Sequence, residues 1–215
     1  MVKIYQEKAL SLSYSHDSMG SCQRAVKRVA DFVCALLGLV VLSPLYLVIM
    51  LIMKIQHNGP VFFSQERIGY GGRPFNIYKF RTMSTVVEDE GPQLIAQSDS
   101  VKSTRFERFL RDHHLDELPQ LWNVLNGDMS FVGPRPERRY FINQIMEHSH
   151  DYRLIYQMRP GLTSEATLYN GYTDTMEKML RRLDMDVRYL ENRTLMLDLK
   201  ILLNTVYNVV SGKKF

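Results

Sequence analysis

The sequence predicts an α+β fold that is mostly helical, with a re-entrant membrane helix, amphipathic interfacial helices and a small strand element. Three observations lead to this prediction: an uncharged apolar run from Phe32 to Met53, two short runs with strand character before residue 81, and helical periodicity through much of residues 139–210. Of the 215 residues, 45% are hydrophobic and 23% are charged, so the chain is long enough to bury a core and has the composition of a folded protein.

Charge and cysteine content narrow the class of protein only coarsely. A formal net charge of +4 fits anionic lipid, phosphate ligands or nucleic acid equally well. Cys22 and Cys34 do not have the spacing of a metal site, and Cys34 lies inside the apolar run. No disulfide framework is indicated, and a reducing compartment is expected for the folded part.

The N-terminal region divides into a tail and an apolar helix. Residues 1–22 are polar, rich in Ser and Tyr, and lack an apolar period, so we expect a flexible tail. This tail is not a signal peptide, because the apolar stretch begins too late and no small-residue cleavage site follows it. Residues 23–57 contain the 22 uncharged residues of the apolar run, and a helix of that length can cross a bilayer core of about 30 Å.

Ser43 and Pro44, at the middle of this run, argue against a straight crossing. Pro44 has no N–H and its ring crowds the carbonyl of Val40, so the helix should bend there, while the Ser43 hydroxyl can bond back to the Leu39 carbonyl. Basic residues flank the run on both sides, and the positive-inside rule places both ends in the cytoplasm. A re-entrant hairpin over 23–57 satisfies both observations. An ordinary kinked spanning helix is the alternative, and a buried core helix is less favoured.

The middle of the chain is predicted to contain a hairpin, a loop and a basic helix. The runs Val61–Ser64 and Phe75–Phe80 have strand character and are separated by three glycines, which favours a β-hairpin. Residues 84–103 are polar and are expected to form a loop over the site. Residues 105–111 place three apolar side chains on one helical face beside three arginines. This pattern is typical of a helix at a membrane surface, or of a helix packed on a core with a solvated basic face.

The rest of the chain is predicted to be helical apart from one loop. Residues 118–125 have helical spacing with a proline near the first turn, where it is tolerated, and residues 127–137 resemble a loop. Residues 139–157 and 175–210 are predicted to be helices. The apolar positions of the last segment are Leu183, Val187, Leu190, Leu195, Leu199, Leu202 and Val206.

Adjacent carboxylates at Asp116 and Glu117 are the candidate centre of a site. Alone, such a pair is usually a solvated helix start, since acids favour helix N-termini. Cations suited to bind phosphate oxygens surround the pair in the sequence, and this favours a site. They are Lys79, Arg81, Arg111 and Arg135.

Two carboxylates beside several cations indicate a hard divalent ion, Mg²⁺, held together with a diphosphate. A carboxylate can also attack phosphorus and form an acyl-phosphate, with the ion and the cations stabilising the charge of the transferring group. Zinc is not favoured at His113-His114, because adjacent histidines point in different directions and no HExxH spacing is present. Dinucleotide-binding and P-loop glycine patterns are also missing from the sequence.

Three motifs carry a resemblance to a known family: FFSQERIGYGGRPF, KFRTM and LDELPQLWNVLNGDMSFVGPRPE. Over about residues 27–200 the chain strongly resembles the bacterial sugar transferases. These are the monotopic polyprenyl-phosphate phosphoglycosyl transferases that initiate capsule, exopolysaccharide and glycoprotein glycan assembly. Larger members have additional N-terminal spanning helices, and this chain resembles the small, minimal form.

The resemblance implies a reaction and a role for each site residue. A sugar 1-phosphate would move from a UDP-sugar to polyprenyl (undecaprenyl) phosphate, with release of UMP. Asp116 would attack the β-phosphate side and carry a covalent phosphosugar, and Asp116 and Glu117 would help to hold Mg²⁺. Lys79, Arg111 and Arg135 match cationic positions of the family's motifs.

The resemblance also implies a location and partners. Ser43-Pro44 matches the Ser-Pro pair that makes a re-entrant helix in the family. Residues 58–215 would then form a cytoplasmic catalytic domain at the surface of the bacterial inner membrane. The implied partners are membrane lipid, downstream glycosyltransferases and a second copy of the chain in a homodimer, and nucleic acid is not among them.

Departures from the family pattern leave the sugar open. His113-His114 stand where the family often has Thr-Ser, and residues 161–172 differ from the family's usual sequence. The residues themselves also leave two other functions open. One is a membrane-bound, metal-dependent phosphodiesterase or pyrophosphatase that uses water as nucleophile. The other is a non-catalytic module that binds anionic lipid.

Overall fold

The structure is a computed structural model, and the residues that it describes are 17–56, 59–82, 104–171 and 173–211. Residues 1–16 of the predicted tail, the predicted loop 84–103 and Tyr172 lie outside the described residues. The helices are α1 (Ser21–Val41), α2 (Ser43–Gln56), α3 (Arg105–Asp112), α4 (Gln120–Asn126), α5 (Arg139–His148), α6 (Tyr152–Ile155), α7 (Glu165–Asn170), α8 (Met176–Asn192) and α9 (Leu195–Val210). The strands are β1 (Phe62–Ile68), β2 (Pro74–Phe80), β3 (Ser130–Val132) and β4 (Gly161–Thr163). The predicted α+β class, mostly helical with a small strand element, is confirmed.

Helices α1 and α2 meet at Leu42 with a bend of 57°. Pro44 is the second residue of α2, where a backbone N–H would have no partner within the helix, so this proline is tolerated at the start of α2 while it prevents α1 from continuing unbroken. The Ser43 hydroxyl donates to the carbonyl of Val40 at 2.7 Å and not to Leu39 as predicted, because α1 has already ended. Among the described residues no single helix is long and apolar enough to cross a bilayer, and this bent pair meets the criterion together.

The N-terminal half of α1 is anchored to the rest of the fold. Arg28 donates to two carbonyl oxygens in the last turn of α4 at 2.7 and 2.8 Å, at a helix end where a cation is favoured. Upstream, the Ser18 hydroxyl donates to the carbonyl of Arg193 at 2.8 Å, and Met19 is fully buried. The predicted tail over 1–22 therefore extends too far, because its last residues pack against the C-terminal helices and α1 has begun.

Strands β1 and β2 pair antiparallel along their whole length, as the predicted hairpin requires. The fully buried Asn123 of α4 binds this hairpin through its side-chain amide. Its oxygen accepts from the N–H of Tyr78 at 3.2 Å, and its nitrogen donates to the carbonyl of Asn76 at 2.7 Å. These two bonds fix the end of β2, and with it Lys79, relative to α4.

The predicted loop 127–137 contains a strand that the sequence did not indicate. β3 pairs in parallel with β4, and three residues are too few to show an alternating pattern. Just beyond β3, Gly133 donates to the carbonyl of Thr163 at 3.0 Å, and Gly161 donates to the carbonyl of Pro134 at 2.9 Å. The two backbones approach so closely that a Cβ on either glycine would overlap backbone atoms of the other segment.

Helix α3 begins with a capping box in which Thr104 and Glu107 bond to each other's backbone N–H groups. Leu110 is fully buried, and Phe106 packs beside it against α2 and β2. Phe109 is about half exposed. Two of the three apolar residues on the predicted face therefore pack on the protein core.

Both long helices predicted after residue 138 are interrupted. The segment 139–157 forms α5 and α6, and the segment 175–210 forms α8 and α9 with a break at Arg193-Thr194. Thr194 accepts from the N–H of Leu197 at 3.1 Å and starts α9 as an N-cap.

The break changes which apolar residues reach the core. Leu183, Val187 and Leu190 of α8 are buried, as predicted for a packing face. Leu199 and Val206 of α9 are at least half exposed, because the helical period of α8 does not continue across the break. The outward side of α9 is consequently apolar.

Candidate active site

The two candidate carboxylates lie in a 3₁₀ turn, Leu115–Glu117, between α3 and α4. His114 adopts the left-handed conformation at φ 54° and redirects the chain after α3, and Pro119 precedes the first residue of α4. The turn contacts β2, so the side chain of Lys79 reaches it. Asp116 is buried within this turn, with 8% of its surface exposed.

Glu117 is held by two cations. Lys79 Nζ lies 2.5 Å and Arg135 Nη2 lies 3.2 Å from the same atom, Oε1 of Glu117. Burial raises the pKa of this carboxyl, but the charges of Lys79 and Arg135 outweigh burial and lower the pKa below its usual range. Glu117 is therefore a fixed, ionised carboxylate.

Asp116 has the opposite electrostatic character. Burial raises its pKa to about 6, Lys79 opposes this shift, and the charge of Glu117 adds to it. No ion pair joins Asp116 to another described residue. The turn thus holds one carboxylate neutralised by cations beside a second that is buried and forms no ion pair within the described part of the chain. Such a difference between neighbouring acids is typical of separate chemical roles.

The structure brings four of the predicted site residues together: Lys79, Asp116, Glu117 and Arg135. Arg111 donates to the carbonyl of Thr82, on the segment that follows β2. The guanidinium of Arg81 lies against Gly59. Neither arginine forms an ion pair with Asp116 or Glu117, together called the dyad, among the described residues. The phosphate-binding roles of the two arginines stay predictions.

His114 is a further ionisable group beside the dyad. Burial lowers its pKa, as do the charges of Arg135 and Lys79, while Glu117 opposes the shift. The neutral imidazole is thereby favoured. His113 differs, because it lies on the Phe109 ring with 4.3 Å between ring centroids and contacts the Phe109 carbonyl through Nδ1 at 2.9 Å.

A second group of charged side chains, next to Arg135, was not predicted from the sequence. Glu137 pairs with Arg67 at 3.4 Å and also with Arg182 of α8. Asp186, one turn further along α8, is buried, and burial raises its pKa to about 7. Glu137 closes the GPRPE motif and could have been suspected from that position, whereas the contribution of α8 left no local signal.

The donor set of the turn fits Mg²⁺ bound through few protein ligands. Mg²⁺ commonly binds one or two carboxylates and completes its shell with water and substrate phosphate oxygens. Asp116 makes no ion pair with another described residue, and one oxygen of Glu117 is not engaged by Lys79 or Arg135. Within the described ranges no group of three or more His, Cys, Asp or Glu residues could hold a metal.

Comparison with known proteins identifies a family and several relatives of the chain. The model of the family described as "Bacterial sugar transferase" matches residues 22–212. The chain is 37% identical over 187 residues to a UDP-N-acetylgalactosamine-undecaprenyl-phosphate N-acetylgalactosaminephosphotransferase of Aeromonas hydrophila, covering 87% of this chain and 44% of the relative.

Two further relatives carry the name UDP-glucose:undecaprenyl-phosphate glucose-1-phosphate transferase. The protein of Klebsiella pneumoniae is 40% identical over 183 residues, covering 84% of this chain and 39% of the relative. The protein of Caulobacter vibrioides is 42% identical over 188 residues, covering 86% of this chain and 70% of the relative. The chain thus spans less than half the length of the Aeromonas and Klebsiella proteins. The family match over nearly the whole sequence leads to one conclusion: the chain belongs to the bacterial sugar transferase family.

Proposed function

We propose that this chain transfers a sugar 1-phosphate from a UDP-sugar to polyprenyl (undecaprenyl) phosphate, releasing UMP and forming a polyprenyl-diphosphate sugar. The observation that carries the proposal is that a buried Asp116, which forms no ion pair with a described residue, lies next to a Glu117 fixed by Lys79 and Arg135. The names of the relatives supply the donor and acceptor classes. The reaction would be the first membrane step in the synthesis of capsule, exopolysaccharide or glycoconjugate.

The proposed first step uses Asp116 as the nucleophile. A carboxylate oxygen of Asp116 attacks the β-phosphorus of the UDP-sugar, and the bond from that phosphorus to the bridging oxygen breaks. UMP leaves with the electron pair, and the sugar phosphate remains on Asp116 as an acyl-phosphate. Lys79 and Arg135, which already converge on one atom, offset the negative charge of the transferring phosphoryl group.

The proposed second step returns Asp116 to its starting state. A phosphate oxygen of the polyprenyl phosphate attacks the same phosphorus, and the bond between that phosphorus and Asp116 breaks. The carboxylate is released, and the sugar phosphate is now joined to the lipid phosphate. Donor and acceptor react in turn at one carboxylate, so ping-pong kinetics are expected.

Asp116 and Glu117 are the residues that would hold Mg²⁺. The ion would supply positive charge at the diphosphate and reduce the repulsion between the anionic donor and the carboxylate nucleophile. The ion pair from Lys79 leaves the second oxygen of Glu117 available for this role.

We place the site at the cytoplasmic face of the bacterial inner membrane, with α1 and α2 as a re-entrant hairpin. The support is the bend at Leu42 together with apolar side chains that lie outward on both helices. Those exposed by at least half are Val26, Val29, Leu37, Val40, Val41, Leu47, Val48, Leu51 and Ile55. The apolar outward side of α9 supports an interfacial position for this helix as well. Its exposed residues are Met196, Leu199, Leu203, Val206 and Tyr207.

A panel assay in detergent or nanodiscs tests the function. The full chain is incubated with Mg²⁺, undecaprenyl phosphate and one of several donors that include UDP-glucose and UDP-N-acetylgalactosamine, and released UMP is measured. Sustained release that requires the lipid acceptor supports the transferase. Sustained hydrolysis of the UDP-sugar without lipid would favour the phosphodiesterase. If the chain bound neither nucleotide nor Mg²⁺, the non-catalytic lipid-binding module would be favoured. Asp174→Asn, at an exposed pair with Lys178, is the matched control for Asp116→Asn.

A further inference from the structure

Arg135 stands between the dyad and a charged cluster that we call the rear cluster, formed by Arg67, Glu137 and Arg182. Glu137 Oε2 lies 3.4 Å from Arg67 Nη1, and Glu137 Oε1 accepts from Arg182 Nη1. All three side chains are largely buried. The rear cluster therefore joins β1, the GPRPE loop and α8 by ion pairs shielded from solvent.

The loop that carries Arg135 is attached at both ends. On one side, Gly133 bonds to β4 through the backbone. On the other side, the N–H of Ile68 donates to the carbonyl of Glu137 at 3.0 Å, as an antiparallel bridge to β1. With two prolines between these attachments, the backbone direction at Arg135 depends on where Glu137 is held.

Arg135 borders a small cavity that is also lined by Tyr152, Arg182 and Asp186. Its side chain is 40% exposed, and its one ion pair among the described residues is with Glu117. A shift of the loop backbone would therefore move the guanidinium relative to Glu117.

Each arginine of the rear cluster has its charge neutralised by Glu137. Arg67 donates to the side chain of Gln65 at 2.6 Å and to the carbonyl of Pro136 at 3.4 Å, but its buried Nε has no partner. Glu137 is the carboxylate that neutralises the charge of the Arg67 guanidinium. Removing one member of a buried pair leaves an uncompensated charge, so the arrangement has one favoured geometry.

We propose that Glu137 and Arg182 are positioning residues that hold the GPRPE loop so that Arg135 meets Glu117 and the donor phosphate. The proposal rests on the proposed function, since it assigns Arg135 to the phosphate of that reaction. Arg182 belongs to α8, and among the described residues its ion pair is with Glu137 and not with Asp116 or Glu117. Its effect on transfer is thus exerted through Glu137 and Arg135.

A double-mutant cycle tests the proposal. The variants are Arg182→Met, Arg135→Ala and the pair together, and kcat/KM for the UDP-sugar is measured for each. We expect Arg182→Met to lower kcat/KM about tenfold in the otherwise unchanged chain and to have almost no further effect when Arg135 is already Ala. Arg182→Lys, which keeps the charge, should recover part of the loss.

A purely structural role would give a different pattern. Arg182→Met would then lower kcat/KM by the same factor in both backgrounds, and that result would overturn the proposal, as would an unchanged kcat/KM. Arg188→Met is the matched control, because Arg188 lies on the same helix, is mostly exposed and pairs with Asp184. If Arg182→Met does not fold, Glu137→Gln replaces it in the same cycle.

A second readout separates this proposal from the proposed function. The dissociation constant of UDP is measured by calorimetry for the same variants. If the unchanged chain transfers no sugar phosphate from any of the UDP-sugars to the lipid phosphate, the proposed function fails. The cycle on UDP affinity still decides whether Arg182 acts through Arg135: non-additive losses support positioning, and additive losses or no losses contradict it.

Discussion

Lys79 Nζ lies 2.5 Å from Glu117 Oε1, while the neighbouring Asp116 forms no ion pair with any described residue. The hairpin β1–β2 delivers the lysine, and the Asn123 amide fixes the end of β2 that carries it. One pair of adjacent acids is thereby divided into a neutralised member and an unpaired member. The proposed assignment of nucleophile and supporting carboxylate depends on this division.

Replacing Lys79 should therefore damage transfer without unfolding the protein. In Lys79→Met, Glu117 loses its shorter ion pair and the transferring phosphoryl group loses a cation. We expect kcat to fall by about 10²-fold, measured as UMP release with a saturating donor. Lys178→Met, at an exposed ion pair, is the control. A kcat equal to that of the unchanged chain would contradict the role of Lys79.

Removing the divalent ion should stop the reaction reversibly. EDTA should abolish UMP release and added Mg²⁺ should restore it. Glu117→Gln, which loses a charged oxygen, should raise the Mg²⁺ concentration for half-maximal rate by at least about tenfold. Glu147→Gln, on the exposed side of α5, should leave that concentration unchanged. Full activity in EDTA would show that the reaction does not require Mg²⁺.

Asp186 should make stability depend on pH. Its folded pKa of about 7 lies above the usual 3.8, so its contribution to stability is fully present below about pH 4 and is lost as pH rises through 7. Asp186→Asn does not titrate, so its free energy of unfolding relative to the unchanged chain should increase between pH 4 and pH 8, by up to a few kcal/mol. Denaturant titrations at the two pH values measure this. A difference independent of pH would show that the pKa of Asp186 is the same in the folded and the unfolded chain.

Gly133 should not tolerate a side chain. A Cβ there would overlap the carbonyl oxygen of Arg159, and backbone atoms cannot move aside cheaply. We expect Gly133→Ala to lower the free energy of unfolding by roughly 1–3 kcal/mol and to reduce transfer by displacing Arg135. Gly20→Ala is the control, since nothing lies within 4 Å of a Cβ at Gly20. Equal stabilities of the two variants would contradict the close approach of the loop to β4.

The re-entrant hairpin of α1 and α2 should place both of its ends on one side of the membrane. Cys22 stands at the start of α1, and a cysteine introduced by Gln56→Cys marks the end of α2, with Cys34→Ser removing the other thiol. A membrane-impermeant maleimide should label both ends in inverted vesicles and neither end in intact spheroplasts. Labels that reach the two ends from opposite sides would establish a spanning helix. Pro44→Ala should straighten the helix and produce that opposite labelling.

Local signals in the sequence were sufficient for the class, the hairpin of strands and the bend between α1 and α2. Pro44 acts on its own turn of helix, and β1 and β2 pair with each other at seven positions of one hairpin. The sequence also indicated Asp116 and Glu117 as the candidate centre, and their roles stay predictions. In each case the determining interactions lie within a short stretch of chain.

The rest of the fold depends on contacts between distant segments. β3 exists because Gly133 and Gly161 allow two backbones to meet, and a run of three residues carries no period of its own. The break between α8 and α9 falls where Arg193 turns inward to Asp17, far away in sequence. The rear cluster likewise combines pairs of residues that are 70 and 45 positions apart, so no local pattern predicts it.

Asp116 is proposed to carry the sugar phosphate between donor and acceptor. Intact-mass spectrometry of the chain, mixed with UDP-sugar and Mg²⁺ without lipid, detects this intermediate. We expect a mass increase equal to one sugar phosphate, mapped by peptide analysis to Asp116, formed with release of one UMP per active chain and lost when undecaprenyl phosphate is added. We expect no such adduct in Asp116→Asn. Rapid transfer by Asp116→Asn, or an adduct on another residue that turns over at the catalytic rate, would contradict this role of Asp116.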